Sequence, residues 1–255
     1  MNYYTDFNFI VMVAIYGMAR LLPIFILIPY LNSQLLGGMI VKNVIIIFIV
    51  IGFMPLLSGQ YVDIVDTPFM MVLLKEVIIG LICGFCLAIP FWIVLAIGEI
   101  IDNQRGATIS STMNPGIGVD TSVMGTFMNF YFLAIFVIND GMVTIVKALY
   151  ATYTIFPLNE MFVFKWSLMV KIITLLNTLM SSAVILVGPV VVSLFLIEIS
   201  IGVLSRFAPQ LNAFSVALSI KSFVAFLVLL IYMTTVLTPR LLDIKLLPLL
   251  LNVKS

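Results

Sequence analysis

The sequence predicts an all-α, multi-pass membrane protein, with about six hydrophobic helical segments arranged as kinked hairpins in a single membrane domain over residues 1–255. Composition is the first reason. Of 255 residues, 63% are hydrophobic and 9% charged, and the mean hydropathy is +1.28. A soluble domain averages roughly 45–50% apolar and about 25% charged residues. Too little polar surface remains here to cover a globule in water. The second reason is length, since apolar runs recur near the ~20 residues that a helix needs to cross hydrocarbon. The third is pattern. The run from Ile45 to Ile51 is apolar on both faces, without the alternation of a membrane β-strand. Backbone in lipid must pair within its own segment, which means helix.

The first segment, 8–30, is interrupted by Arg20. Its start does not read as a cleaved signal, because the first charge is Asp6 and no basic region precedes the apolar run. The second segment covers 39–58. The third, 70–98, carries Lys75 and Glu76 near its start and Pro90 further on. The fourth, 121–139, has no charged residue, and the fifth, 172–198, holds Gly188-Pro189 at its centre. The sixth covers 220–239. Proline removes a helical hydrogen bond and crowds the preceding turn, so kinks are expected at Pro90 and Pro189. The connections then fall at 99–120, 140–171 and 199–219. Lys and Arg near the segment ends weakly favour a cytoplasmic C-terminus.

Several chemistries are excluded or disfavoured. There is no histidine, which removes the commonest general base and metal ligand. Net charge is +1, so no basic field gathers nucleic acid. Cys83 and Cys86 have the C-x-x-C spacing, but lie in an apolar run without the electropositive surroundings of a reactive thiol. They read as buried cysteines. No nucleophile–base pair or carboxylate dyad assembles from the scattered acids. The expectation is no enzyme and no cofactor.

Other features suggest packing and contact. Gly80 and Gly84 form a small-xxx-small pair that lets helix backbones approach closely. Arg20, Lys75, Glu76, Glu99, Asp102, Glu198 and Lys221 lie within or beside apolar segments. An ionisable group in lipid is costly and faces a partner or water. Subunit contacts and snorkelling at the interface are favoured over a proton relay, and consecutive Lys75 and Glu76 are expected to need separate partners. The stretch 102–120 is the most unusual, joining Asp102, Asn103, Gln104 and Arg105 to small polar residues and a Gly/Pro loop with an apolar side.

Three stretches together carry a resemblance. They are Gly98-Glu99-Ile100-Ile101-Asp102-Asn103-Gln104-Arg105-Gly106 leading to Met113-Asn114-Pro115; Phe132 to Gly141 followed by Ala148-Leu149 and Phe156-Pro157; and Arg206-Phe207-Ala208-Pro209-Gln210-Leu211-Asn212-Ala213-Phe214 followed by Ile220-Lys221. In order and spacing, over essentially the whole chain, the sequence resembles the FliR/SpaR/SctT proteins of the type III secretion export apparatus. Asn139-Asp140-Gly141 stands where the flagellar forms typically have Asn-Gly-His, which makes it more similar to injectisome members.

The resemblance implies a non-enzymatic core subunit of the export gate in the bacterial inner membrane. It implies several copies of two smaller hydrophobic partner proteins, a switch protein nearby, and a helical hetero-oligomeric pore through which unfolded polypeptides pass. Residues 1–170 would resemble one partner type and the 171–255 hairpin the other. A plug at the constriction would comprise Arg105, Gly106, Ile109, Met113, Asn114, Pro115, Gly116 and Ile117, with Met124 and Met128 adding a flexible seal. Subunit contacts would fall on Glu99, Asp102, Gln104, Arg206, Pro209, Gln210, Asn212 and Lys221. Energy would come from the proton gradient and a separate ATPase. The alternative is an autonomous small-molecule or ion transporter, which needs a midplane site where broken helices converge.

Overall fold

The computed structural model describes residues 3–31, 36–61, 68–107, 122–159, 166–207 and 213–242. Among these residues every regular element is helical. The helices are α1 (Tyr3–Leu27), α2 (Met39–Tyr61), α3 (Phe69–Gln104), α4 (Val123–Ile138), α5 (Gly141–Ile155), α6 (Trp166–Phe207), α7 (Ala213–Tyr232) and the short α8 (Thr238–Leu242). A 3₁₀ turn at Pro29–Leu31 follows α1, and a π turn at Met233–Leu237 joins α7 to α8. Five helical stretches are long and apolar enough to cross a membrane, or up to six when α4 and α5 count as one bent span.

Two sequence expectations need correction. Residues 141–155 are helix rather than connection, and α5 stops at Ile155 beside Phe156-Pro157. The fifth segment is helical through Phe207, nine residues past its expected end at 198. The physical reason is the same in both. Single charges such as Lys147, Glu198 and Arg206 lower hydropathy without breaking a helix, whereas the residue before a proline is pushed out of the helical region. Likewise α3 continues helically through Pro90 and includes the whole Glu99–Gln104 stretch.

The chain forms two compact units. The first holds the described residues of Met1–Ile89 and Asp140–Leu175, the second those of Pro90–Asn139 and Leu176–Ile244. In the first unit α1 packs against α2 and α3 at glycines. A methyl group on Gly17 would press on Val50 and Leu57 of α2. One on Gly80 would overlap the carbonyl of Arg20, and one on Gly84 would meet the backbone of Ile24. The small-xxx-small pair is therefore a helix-packing face, as its spacing suggested. Cys83 and Cys86 are free thiols buried in this core.

In the second unit α3 and α4 touch backbone to backbone, because a Cβ on Gly98 would overlap Gly125. Phe91, Phe132 and Phe136 pack beside that contact, with ring centroids 5.0, 5.3 and 5.9 Å apart. The π turn has a local cause. Pro239 has no amide to donate, and one turn earlier the ladder widens, with the Thr238 N–H reaching back to Met233 O. The Thr238 hydroxyl donates to the same carbonyl at 2.8 Å and shares a 2.9 Å hydrogen bond with Tyr131 of α4.

Candidate functional site

The stem of the 105–122 connection is built around one carboxylate. Helix α3 ends in a Schellman motif: Gly106, at φ 78°, occupies the left-handed position, Gly106 N–H donates to Asn103 O at 3.2 Å, and Ala107 N–H donates to Asp102 O at 3.0 Å. Across from this end, Ser122 caps α4, its hydroxyl accepting from Gly125 N–H at 2.8 Å. The Asp102 side chain joins the two ends. Its Oδ2 accepts from Ser122 Oγ at 2.6 Å and from Met124 N–H at 3.0 Å, while its Oδ1 accepts from Arg105 Nε at 2.7 Å. A buried carboxylate thus sits on the first turn of α4, where free amides and the helix dipole stabilise negative charge. Arg105 also lies over the ring of Phe226 in α7, 5.6 Å from its centroid. The Gly98–Gly125 contact brings the two backbones close enough for this bracket to close.

A second polar cluster lies wholly in the first unit, and sequence reasoning assigned it differently. Arg20 and Glu76 are fully buried and paired, Nε to Oε2 at 2.6 Å. Arg20 spends its two remaining nitrogens on the end of α5, donating from Nη1 to Thr152 O at 2.8 Å and from Nη2 to Phe156 O at 2.7 Å. Its guanidinium stacks 4.1 Å over the Tyr153 ring, whose hydroxyl donates to Gly17 O at 3.0 Å. Lys75 Nζ donates to Leu158 O at 2.6 Å and lies 3.2 Å from Glu76 Oε1. Gln60 closes the ring, donating to Tyr153 O at 3.2 Å and accepting from Leu158 N–H at 3.0 Å. Tyr153 O, one of the last carbonyls of α5, is thereby met by Gln60 of α2, and the carbonyls of Phe156 and Leu158 just past the helix end by Arg20 of α1 and Lys75 of α3. Glu76 is the shared partner of Arg20 and Lys75 inside the chain, which corrects the assignment of these three to subunit contacts or snorkelling. Lys75 and Glu76 do have separate partners, the Leu158 carbonyl and Arg20, and they also meet each other at 3.2 Å within the one cluster. Beyond α1, burial pushes the Tyr30 phenol well above its ordinary range.

The predicted site residues divide by placement. Asp102 and Arg105 share the bracket, and Gly106 serves the α3 cap. Glu99, Gln104 and Arg206 are exposed. Lys221 is buried and donates to Glu198 Oε2 at 2.7 Å, so its charge is met within the chain. Ile109, Met113, Asn114, Pro115, Gly116, Ile117, Pro209, Gln210 and Asn212 lie outside the described residues. Met124 and Met128 are buried in the second unit, at 1% and 0% exposure, which corrects the expectation that they form a flexible seal. Helical spacing turns them toward the packed face of α4, with Phe132.

Comparison with known proteins agrees with the motifs. Residues 11–241 match the family described as bacterial export proteins, family 1. The chain is 44% identical over 220 residues to the surface presentation of antigens protein SpaR of Shigella flexneri, covering 85% of this chain and 83% of that one. It is 38% identical over 243 residues to the SpaR protein of Salmonella typhimurium, covering 95% and 90%. To the Yop proteins translocation protein T of Yersinia pestis it is 34% identical over 215 residues, covering 84% and 82%. The flagellar biosynthetic protein FliR of Buchnera aphidicola is 22% identical over 228 residues, covering 89% and 87%. Members of this family are membrane components of an export apparatus rather than enzymes. The chain belongs to bacterial export protein family 1, the FliR/SpaR/SctT family of type III export-apparatus membrane proteins.

Proposed function

We propose that this chain is a core subunit of a type III secretion export gate in the inner membrane, forming with smaller hydrophobic subunits the entry pore for unfolded polypeptides. The observation that carries the reading is family membership across residues 11–241. The higher identity to SpaR, at 44%, than to FliR, at 22%, favours an injectisome over a flagellum. The helices support an assembled rather than a solitary role. In their most apolar stretches α6 and the α7–α8 segment bury only 22% of residues within the chain, against 67% for α3. The first four sequence segments stand for one partner type and the last two for the other. The connection from Arg105 to Asp120 acts as the plug, and Glu99, Gln104 and Arg206 face partner subunits.

The test is a stalled substrate. An export substrate fused to a domain that folds tightly is expressed in cells carrying photo-cross-linkers at Ala107 or Val123 of the assembled apparatus. Cross-links to substrate that appear only while it is stalled are expected. Cross-links to partner subunits alone, with substrate still engaged by the apparatus, overturn the pore reading.

A further inference from the structure

We infer that the start of α2 is a binding site for the phosphate of an anionic phospholipid, held by Lys42 and the free amides of the helix. The inference does not rest on the pore reading, since it needs only that α2 lies in a membrane. Of the buried charged side chains among the described residues, Arg20, Glu76, Asp102 and Lys221 each meet an opposite charge within the chain. Lys42 does not. It is 5% exposed, and no carboxylate or carbonyl among the described residues meets its ammonium. A snorkelling lysine keeps its head in water, and this one is covered too fully for that. An ammonium shut away from water calls for an anion.

The position of Lys42 decides where that anion sits. Ile46, Val50, Phe53 and Leu57 share its face of α2 and are buried, so the stem of the side chain lies on the packed side. Side chains on a helix lean toward its N-terminus, which carries the ammonium back over the first turn. There the N–H groups of Met39, Ile40 and Val41 have no acceptor among the described residues, and the first backbone bond is Lys42 N–H to Gly38 O at 3.2 Å. The first turn holds no acid, and Gly38 before it has no side chain to cap with. A positive helix end and a buried cation thus face one place with no negative group between them. That place is open, because a Cβ on Gly37 or Gly38 would meet nothing within 4 Å. Helix α4 is the contrast, its first turn already holding the Asp102 carboxylate.

The surroundings favour a lipid over a soluble anion. Ile40, Val44, Ile47 and Ile51, at helical spacing, form an exposed apolar stripe that runs down α2 from the same end. A phosphate over the first turn lays its acyl chains along that stripe. A headgroup of net negative charge suits the site, because Lys42 repels the ammonium of a zwitterionic one.

The test uses the full complex, purified with its native partners in mild detergent. Phosphatidylglycerol with a diazirine in one acyl chain is titrated in, and photo-cross-links to α2 peptides are measured by mass spectrometry. Saturable labelling of the Ile40–Ile51 stripe is expected, competed by plain phosphatidylglycerol but not by equal phosphatidylcholine or by inorganic phosphate. Lys42→Met should raise the half-saturating concentration on the order of fivefold, which is what one lysine contributes at an anionic surface. Lys42→Arg should leave it unchanged. Met39→Glu keeps Lys42 but supplies an acid of its own to the first turn, and should raise it similarly.

Unchanged half-saturation in both Lys42→Met and Met39→Glu overturns the inference. So does competition by inorganic phosphate, which assigns the site to a soluble anion. A zero-length carbodiimide cross-link joining Lys42 to an acid of a partner subunit overturns it as well, by making the anion a protein carboxylate. Should Lys42→Met not assemble, Met39→Glu decides by the same labelling, and wild-type half-saturation in that variant overturns the site.

Discussion

At the scale of single residues, the chain places its charges where the fold can meet them. Arg20 is the extreme case, a fully buried guanidinium bonded to Glu76 and to two backbone carbonyls. Removing one partner of a buried ion pair costs about 3–5 kcal/mol, since the other is left uncompensated. Arg20→Ala should therefore lower the thermal unfolding midpoint of the purified complex sharply. Arg20→Lys should recover only part of the loss, because an ammonium cannot reproduce the planar fork. An unchanged midpoint in Arg20→Ala would contradict the role assigned here. The charge of Arg20 is legible in the sequence, but its partners are not. The carbonyls of Thr152 and Phe156 lie 132 and 136 positions away and belong to the backbone, which every residue type offers alike. Gly80 was legible from spacing alone, and Gly80→Leu should disrupt the α1–α3 contact where a Cβ already overlaps the Arg20 carbonyl. Loss of the complex from detergent extracts is the expected outcome.

At the scale of elements, helix ends decide more than hydropathy does. Gly106 holds a left-handed conformation that costs an L-residue roughly 1–2 kcal/mol. Gly106→Ala should accordingly speed hydrogen exchange at the Arg105–Ala107 amides while leaving the middle of α3 protected. Equal exchange in the two proteins would show that the cap does not hold that end. The π turn offers a milder test. Tyr131→Phe removes one hydrogen bond to Thr238, worth about 0.5–1.5 kcal/mol, and should loosen exchange around Thr238 without affecting assembly. Segment existence was well read from composition, and boundaries less so. A window average treats Lys147 or Glu198 as a stop, yet both lie inside helices, and the effective stop of α5 is Pro157, one residue beyond Phe156, where helix geometry is lost. Asp102 was noticed among the polar residues after the third segment, and a capping serine 20 positions later was the available hint of its partner.

At the scale of the whole molecule, the described residues leave many large apolar side chains uncovered within the chain. Phe48, Ile138, Ile185, Phe207 and Phe223 are among them. Lipid can cover such surface, and so can neighbouring helices. Membership of an export-apparatus family favours neighbours over at least part of it. That choice was legible only through resemblance, because a lipid-facing and a subunit-facing leucine have the same composition signature. The central claim is that this protein works as one component of a hetero-oligomeric export gate. Its most direct test is native mass spectrometry of the tagged protein, extracted in mild detergent from its native cells. The account predicts a discrete heteromer containing this chain and several copies of smaller hydrophobic subunits. A folded species running alone, or as a homo-oligomer, would contradict it.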